Sequence, residues 1–342
     1  MDSKSSIRQR KEDHISINLN QEVTSLLTNG LEKYQLNHCA LPELNLNEID
    51  PSLDFLGKRL SYPVLISSMT GGTESALKIN HTLAHIAQKY QFAMGVGSQR
   101  AGLENDDLMV TFKVRQFAPD ILLFANLGAV QLNYSYTIEH CKRAMDAIEA
   151  DALILHLNPL QEALMDKGDT NFSGLLKKIE NICNSLKAPI IVKEVGWGIS
   201  KEIAIKLKGA GVKAIDVAGA GGTSWSEVEK FRNSQKMKEV ANAFKSWGIP
   251  AAESLTEIRK ALPDFPLIAS GGIKDGVEIA KCLALGANLV GMARGFLLTA
   301  AESLDAIDML AFSVTRQMMT AMFAVGAKNL SALNNQKISR IE

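Results

Sequence analysis

Ile190-Ile191-Val192-Lys193-Glu194 is a run of β-branched residues that passes directly into a lysine and a glutamate. A strand of nearly continuous apolar sequence is one covered on both faces. Seven other runs read the same way: Pro63–Met69, Phe92–Ser98, Ile121–Leu127, Ala152–Asn158, Lys213–Gly219, Pro266–Gly271 and Asn288–Ala293, with Pro189–Val195 between the fourth and fifth of these. Amphipathic helical stretches separate them. Strand–helix alternation implies a parallel sheet, and eight such units predict closure into a (β/α)8 TIM barrel. An open doubly wound sheet also accommodates eight units, but it gathers its functional residues at one switch point. Here polar or glycine-rich residues finish almost every run: Ser68-Met69-Thr70-Gly71-Gly72, Gly97-Ser98-Gln99-Arg100, Asn126, His156-Leu157-Asn158, Lys193-Glu194, Asp216 through Thr223, Gly271-Gly272 and Arg294. Functional residues spread over all the C-terminal strand ends are barrel behaviour.

The fold class is therefore α/β: a TIM barrel over residues 63–342 behind an N-terminal extension over residues 1–62. Residues 1–13 are short, polar and rich in Ser, Lys and Arg, and are expected to be flexible. Residues 14–62 contain Pro42 and Pro51, with a helix expected around Glu22–Lys33. Residues 220–262 break the rhythm. They hold Trp225, Trp247 and Gly248-Ile249-Pro250, and read as a mobile active-site loop followed by a helix start.

Composition narrows the classes of function. Thirty-seven basic residues balance thirty-seven acidic ones, so no overall field favours nucleic acid or a membrane surface. Hydrophobic residues make up 46%, enough for a large core. Cys39, Cys141, Cys183 and Cys282 are scattered, which suits reduced thiols and argues against a disulfide scaffold or a zinc site. Met1 to His14 has no apolar signal-peptide core, and no apolar run spans a bilayer. The expected location is cytoplasmic.

Two glycine signals follow adjacent strands: Ala269-Ser270-Gly271-Gly272-Ile273 and Gly291-Met292-Ala293-Arg294. Such turns bring backbone N–H groups and a helix N-terminus to an anion, at the place where many barrels hold a phosphate. Tight β-to-α turns alone would also use glycine. Lys193 has three readings: stabilising negative charge on a reduced flavin, pairing with Glu194 or another acid, or Schiff-base chemistry. Arg10-Lys11 reads as a phosphate clamp or a solvated tail, and Glu162 as a metal ligand or a favourable charge at a helix N-terminus.

Taken in order, several stretches resemble the type 2 isopentenyl-diphosphate isomerases. They are Arg10-Lys11-x-x-His14, Met69-Thr70-Gly71-Gly72, Gly97-Ser98-Gln99-Arg100, His156-Leu157-Asn158-Pro159-Leu160-Gln161-Glu162, Val192-Lys193-Glu194-Val195-Gly196, Asp216-Val217-Ala218-Gly219-x-Gly221-Gly222-Thr223 and Ser270-Gly271-Gly272. The resemblance runs from Arg10 to about Phe296. It implies an FMN barrel that needs Mg2+ and reduced flavin, with NAD(P)H as reductant, and interconverts isopentenyl and dimethylallyl diphosphate in isoprenoid biosynthesis. It implies that Met69, Thr70, Gly71, Ser98, Asn126, Lys193, Thr223, Gly271, Gly272, Ala293 and Arg294 surround FMN. Substrate contacts would come from Arg10, Lys11, Ser98, Gln99, Arg100, His156, Asn158 and Gln161, and metal binding from Glu162. Gln161, Lys193 and His156 would be catalytic, the first residues would cover the substrate, and the assembly would be a homotetramer or homo-octamer.

The competing reading is an FMN-dependent oxidoreductase of the 2-hydroxy-acid oxidase type. It needs a histidine base at a strand end facing the flavin, and the sixth run ends Asp216-Val217-Ala218-Gly219 without one. A non-enzymatic flavin sensor would show eroded catalytic positions, and none is seen.

Overall fold

The computed structural model describes residues 3–341. The chain opens with helix α1 (Ser3–Asn20), a short strand β1 (Tyr34–Leu36) and a hairpin of β2 (Leu53–Phe55) and β3 (Lys58–Leu60). Eight parallel strands then close into a barrel: β4 (Val64–Ile66), β5 (Ala93–Gly95), β6 (Leu123–Gly128), β7 (Ala152–His156), β8 (Ile190–Lys193), β9 (Ala214–Asp216), β10 (Leu267–Ser270) and β11 (Leu289–Met292). Neighbours pair in sequence order, and Gly291 opposite Leu65 closes the ring from β11 to β4. Every expected strand is present, each somewhat shorter than its apolar run.

Alternation along the strands builds the interior. Leu65, Phe124, Ile154, Ile191, Ala214 and Ile268 share one apolar cluster inside the barrel. Side chains two residues further on point to the same face, and there the sequence changes to Ser67, Asn126, His156, Lys193, Asp216 and Ser270. One period of two thus separates a sealed floor from a polar mouth. The hairpin plugs the other end: Phe55 and Leu60 join the interior cluster, while Lys58 Nζ lies 2.9 Å from Asp151 and donates to Ile121 O at 3.1 Å.

Helices form the outer layer. α2 (Glu74–Tyr90) begins at Thr73, whose hydroxyl accepts from the Ala76 N–H at 3.1 Å. α3 (Arg100–Glu104), α4 (Ile138–Asp146), α5 (Pro159–Leu164), α6 (Leu175–Ser185) and α7 (Lys201–Gly209) follow β5 to β8. After β9 come α8 (Trp225–Arg232), α9 (Gln235–Asn242) and α10 (Ala251–Ala261), then α11 (Gly276–Ala284), α12 (Arg294–Glu302) and the long α13 (Leu304–Ala324). Met318 and Met322 of α13 are core residues, 0% exposed. A last strand, β12 (Ile338–Arg340), pairs antiparallel with β1. Among the described residues no helix is long and apolar enough to cross a membrane.

Three expectations change. Ser3–Asn20 is a helix that packs against α3, α8 and α12, whereas residues 1–13, of which the first two lie outside the described residues, were expected to be flexible. Glu22–Lys33 holds no α-helix, only a 3-10 turn at Leu31–Lys33. Its backbone pairs elsewhere: Ser224 N donates to Val23 O and Ser25 N to Gly222 O, each at 2.8 Å. Tertiary partners for those groups outweigh a weak helical preference. Residues 220–262 carry α8, α9 and α10 in place of a mobile loop, because α8 packs on α1 and α5.

Phe55 tests the plug, since it is 4% exposed at the end of the barrel away from the polar mouth. Phe55→Ala should cost about 3–5 kcal/mol in a denaturant titration and leave ligand affinity at the mouth unchanged. A variant of wild-type stability would remove the hairpin from the stability of the barrel.

Candidate active site

A cavity of about 520 Å³ opens over the C-terminal strand ends. Its floor is the polar layer. Lys193, 8% exposed, donates from Nζ to the Glu194 carbonyl at 2.7 Å. The alternative pairing with the Glu194 carboxylate is not formed. That carboxylate instead accepts from the N–H groups of Val195, Gly196 and Trp197 at 2.6–2.7 Å, and burial pushes its pKa up to about 7. Beside Lys193, His156 Nδ1 lies 2.8 Å from Asn126 Oδ1. Burial first, then the Lys193 and Lys11 ammonium groups, hold His156 near pKa 3, so its ring is neutral.

One side of the cavity is backbone. Gly271 (φ 113°) and Gly272 (φ 77°) take left-handed conformations that favour glycine. A Cβ on Gly271 would sit 2.0 Å from Gly219 O, and one on Gly272 2.2 Å from Gly221 O. The loops after β9 and β10 therefore meet main chain to main chain. Ala293 and Arg294 bring the start of α12 to the same side. Ser67 Oγ and Ser68 Oγ are buried there without a hydrogen-bond partner. Unfilled hydroxyls, glycine loops and a helix N-terminus fit a ligand with a polar edge and a phosphate, and FMN has both.

The other side is cationic. Arg10, Lys11 and Arg100 line it together. Arg100 donates to Asp169 at 2.6 Å and Glu104 at 2.8 Å. Lys11 Nζ donates only to a neutral carbonyl, Ser98 O, at 3.2 Å. Burial, with Arg10 and Arg100 adding to it, lowers Lys11 to about 7, and burial likewise lowers Arg10. Arg100 keeps its two carboxylates and is raised, whereas Lys11 has cations for charged neighbours, so the Lys11 side of this end is prepared for an anion.

Between the two sides runs a chain of hydrogen bonds. Glu162 is 7% exposed; it accepts from Asn158 Nδ2 at 2.9 Å and Asp169 N at 2.7 Å, and burial raises its pKa. Gln161 Oε1 accepts from the same Asn158 amide at 3.2 Å, and its Nε2 donates to Glu229 at 3.0 Å. Glu229, 0% exposed, also accepts from His14 Nε2 at 3.0 Å and Arg232 at 2.9 Å. Burial works to raise Glu229, but the bond from His14 and then that from Gln161 outweigh it and bring the carboxyl to about 2. Burial lowers His14, against the opposing pull of Glu229.

Most expected site residues meet here: Arg10, Lys11, Met69, Thr70, Ser98, Arg100, Asn126, His156, Asn158, Gln161, Glu162, Lys193, Thr223, Gly271, Gly272, Ala293 and Arg294 all line the cavity. Two do not. Gln99 is 0% exposed and turned behind β6, donating to Ala144 O at 2.8 Å and accepting from Asn126 N at 3.0 Å. Gly71 faces Phe112, whose ring would lie 1.8 Å from a Cβ there. The cavity also holds residues to which the sequence reading gave no site role, among them His14 and Trp225, with Glu229 bonded just behind. His14 falls one helical turn after Arg10 and Lys11, and Glu229 one turn after Trp225. Both signals were hidden by reading those segments as disordered and as loop.

The family model for FMN-dependent dehydrogenase matches residues 138–340. An isopentenyl-diphosphate delta-isomerase from a Nostoc species is 52% identical over 328 residues, covering 95% of this chain and 94% of the relative. One of the same name from Rickettsia felis is 48% identical over 331 residues, 96% of each chain. A solved mandelate oxidase structure superposes with a TM-score of 0.69 over 98% of each chain at 18% identity, which shows a shared fold. The chain belongs to the isopentenyl-diphosphate delta-isomerase family and is an isomerase built on the FMN-dependent dehydrogenase barrel.

Proposed function

We propose that this chain interconverts isopentenyl diphosphate and dimethylallyl diphosphate, with FMN over the strand ends, Mg2+ at Glu162 and NAD(P)H as the reductant. The observation that carries the reading is the cation cluster of Arg10, Lys11 and Arg100 beside the buried Glu162, across one cavity from the glycine loops. A diphosphate ester suits the first end and a flavin phosphate the second. Reduced FMN, when bound, supplies a ring nitrogen able to carry a proton to or from carbon.

The chain's own groups divide the remaining work. Arg10, Lys11 and Arg100 hold the diphosphate. Among the described residues no three His, Cys, Asp or Glu side chains gather as a metal site, so Glu162 offers a single carboxylate. Magnesium commonly accepts one or two carboxylates and takes its other ligands from substrate phosphate and water, so the donor set fits it. Lys193 places an ammonium group against the polar floor, where negative charge on a reduced flavin would be stabilised. Gln161 is fixed at both ends, by Asn158 and Glu229, and orients the apolar end of the substrate for proton transfer. In keeping with the family resemblance, a cytoplasmic homotetramer or homo-octamer is proposed. Exposed Met309 and Phe312 on α13 support self-association, and light scattering on the purified protein tests it.

The direct test is purification, flavin extraction, anaerobic reduction and assay of isopentenyl diphosphate with and without Mg2+. Dimethylallyl diphosphate formed only by the reduced, metal-supplied protein supports the reading. Oxidation of 2-hydroxy acids without isomerisation would replace it by the oxidoreductase alternative.

Two further outcomes are expected. Glu162→Gln should raise the Mg2+ concentration for half-maximal turnover by about tenfold or more, whereas Gln161→Ala should keep the metal curve and lower kcat roughly a hundredfold. Identical metal curves for wild type and Glu162→Gln would remove Glu162 from the metal site. Lys11, at about 7, is charged below that pH and loses its charge as pH rises. The free-enzyme parameter kcat/KM should therefore fall above about pH 7, and Lys11→Arg should abolish the fall because a guanidinium stays charged. A wild-type profile flat to about pH 9 would show that Lys11 does not clamp the diphosphate.

A further inference from the structure

Asp169 lies in the segment joining α5 to α6 and does not line the cavity, yet it touches two groups that do, Glu162 and Arg100. Its N–H donates to Glu162 Oε2 at 2.7 Å. Its Oδ2 accepts from Arg100 Nη1 at 2.6 Å and from Gln131 Nε2 at 2.8 Å. Both sides of this arrangement are fixed. A Cβ on Gly168 would sit 1.9 Å from Glu162 O, so the segment folds tightly onto α5. Gln131, in the turn after β6, is buried. Arg100 has a second carboxylate in Glu104, at 2.8 Å. Carboxylates therefore crowd the Arg100 side of the diphosphate end: Glu104, Asp169 and Glu162 are all there. Asp169 and Glu162 repel one another. The charged neighbours of Lys11 are Arg10 and Arg100, both cations.

This asymmetry discriminates between two forms of one ligand. A free diphosphate reaches Arg100 only against the carboxylates already around it. A magnesium-bound diphosphate carries a cation to that side, where the same carboxylates attract it, and turns its phosphate oxygens to Lys11. Repulsion of the wrong form is as effective a source of specificity as attraction of the right one. We propose that Asp169 is a specificity-determining residue: by offsetting the charge of Arg100 beside Glu162, it makes the site reject free diphosphate and accept the magnesium complex. Resting on the functional reading above, this deepens it by naming the ionic form of the substrate. Asp169 touches no ligand space and acts through Arg100 and the local charge.

Calorimetric titration of the FMN-loaded protein with inorganic pyrophosphate, in EDTA and in excess Mg2+, tests this. Asp169→Asn keeps the backbone N–H and an oxygen to accept from Arg100, and removes only the charge. It should tighten free pyrophosphate roughly tenfold and weaken the magnesium form roughly threefold, opposite shifts that a lost structural contact does not produce. Glu104→Gln relieves Arg100 without a bond to Glu162, so it should tighten free pyrophosphate and leave the magnesium form unchanged. Equal losses in both conditions, or no change in either, for Asp169→Asn overturn the assignment. If that variant does not fold, the wild type decides: free pyrophosphate bound as tightly as the magnesium form overturns it. The expected shifts in a protein without isomerase activity support this assignment and overturn only the functional reading. Isomerase activity with no metal preference in pyrophosphate binding overturns this assignment alone.

Discussion

The Glu229 carboxylate has no exposed surface, and an unpaired charge in such a place costs several kcal/mol. It must be surrounded by donors, and the donors come from three elements: His14 of α1, Gln161 of α5 and Arg232 of α8. Satisfying one carboxylate therefore fixes where three helices meet at the mouth of the barrel. α1 is held over the cavity by this contact, and with it Arg10 and Lys11. Gln161 is aimed by the same contact, and through Asn158 so is Glu162.

The site that results has two electrostatic ends. At one, burial and then neighbouring cations lower Arg10 and Lys11, beside an Arg100 already paired with Asp169 and Glu104. At the other, charge is handled by main chain: glycine loops packed so closely that no Cβ fits, and the start of α12. Lys193 and neutral His156 lie on the floor between them. This division suits the two phosphorylated ligands proposed for the cavity. The 2-hydroxy-acid oxidase reading lacks its histidine base at the end of β9, where Asp216 bonds Ser270 at 2.6 Å inside the barrel. The likeness to mandelate oxidase is one of fold.

Stability and chemistry are also separated along the barrel axis. Phe55 and Leu60 seal one end, the apolar layer from Leu65 to Ile268 fills the middle, and polar groups occupy only the last layer. A parallel barrel permits this because each strand reaches the mouth by its C-terminal end.

The sequence by itself determined the barrel and most of the mouth. Eight apolar runs need cover on both faces, and the residue at which each run turns polar is a local fact, readable from Leu65 to Ser67 or Ile191 to Lys193 without any contact known. What only the tertiary structure decided was everything whose partners are distant in the chain. Ser3–Asn20 has little apolar periodicity, so its helix depends on α8 and on Glu229, 215 residues from His14. Val23 to Ser25 is extended because Gly222 and Ser224 are there to pair with it. Gln99 sits among candidate ligand contacts in sequence, yet the turn after β5 points it behind Asn126. Periodicity carries information over a few residues; which buried donor meets which buried acceptor is settled only when the chain closes on itself.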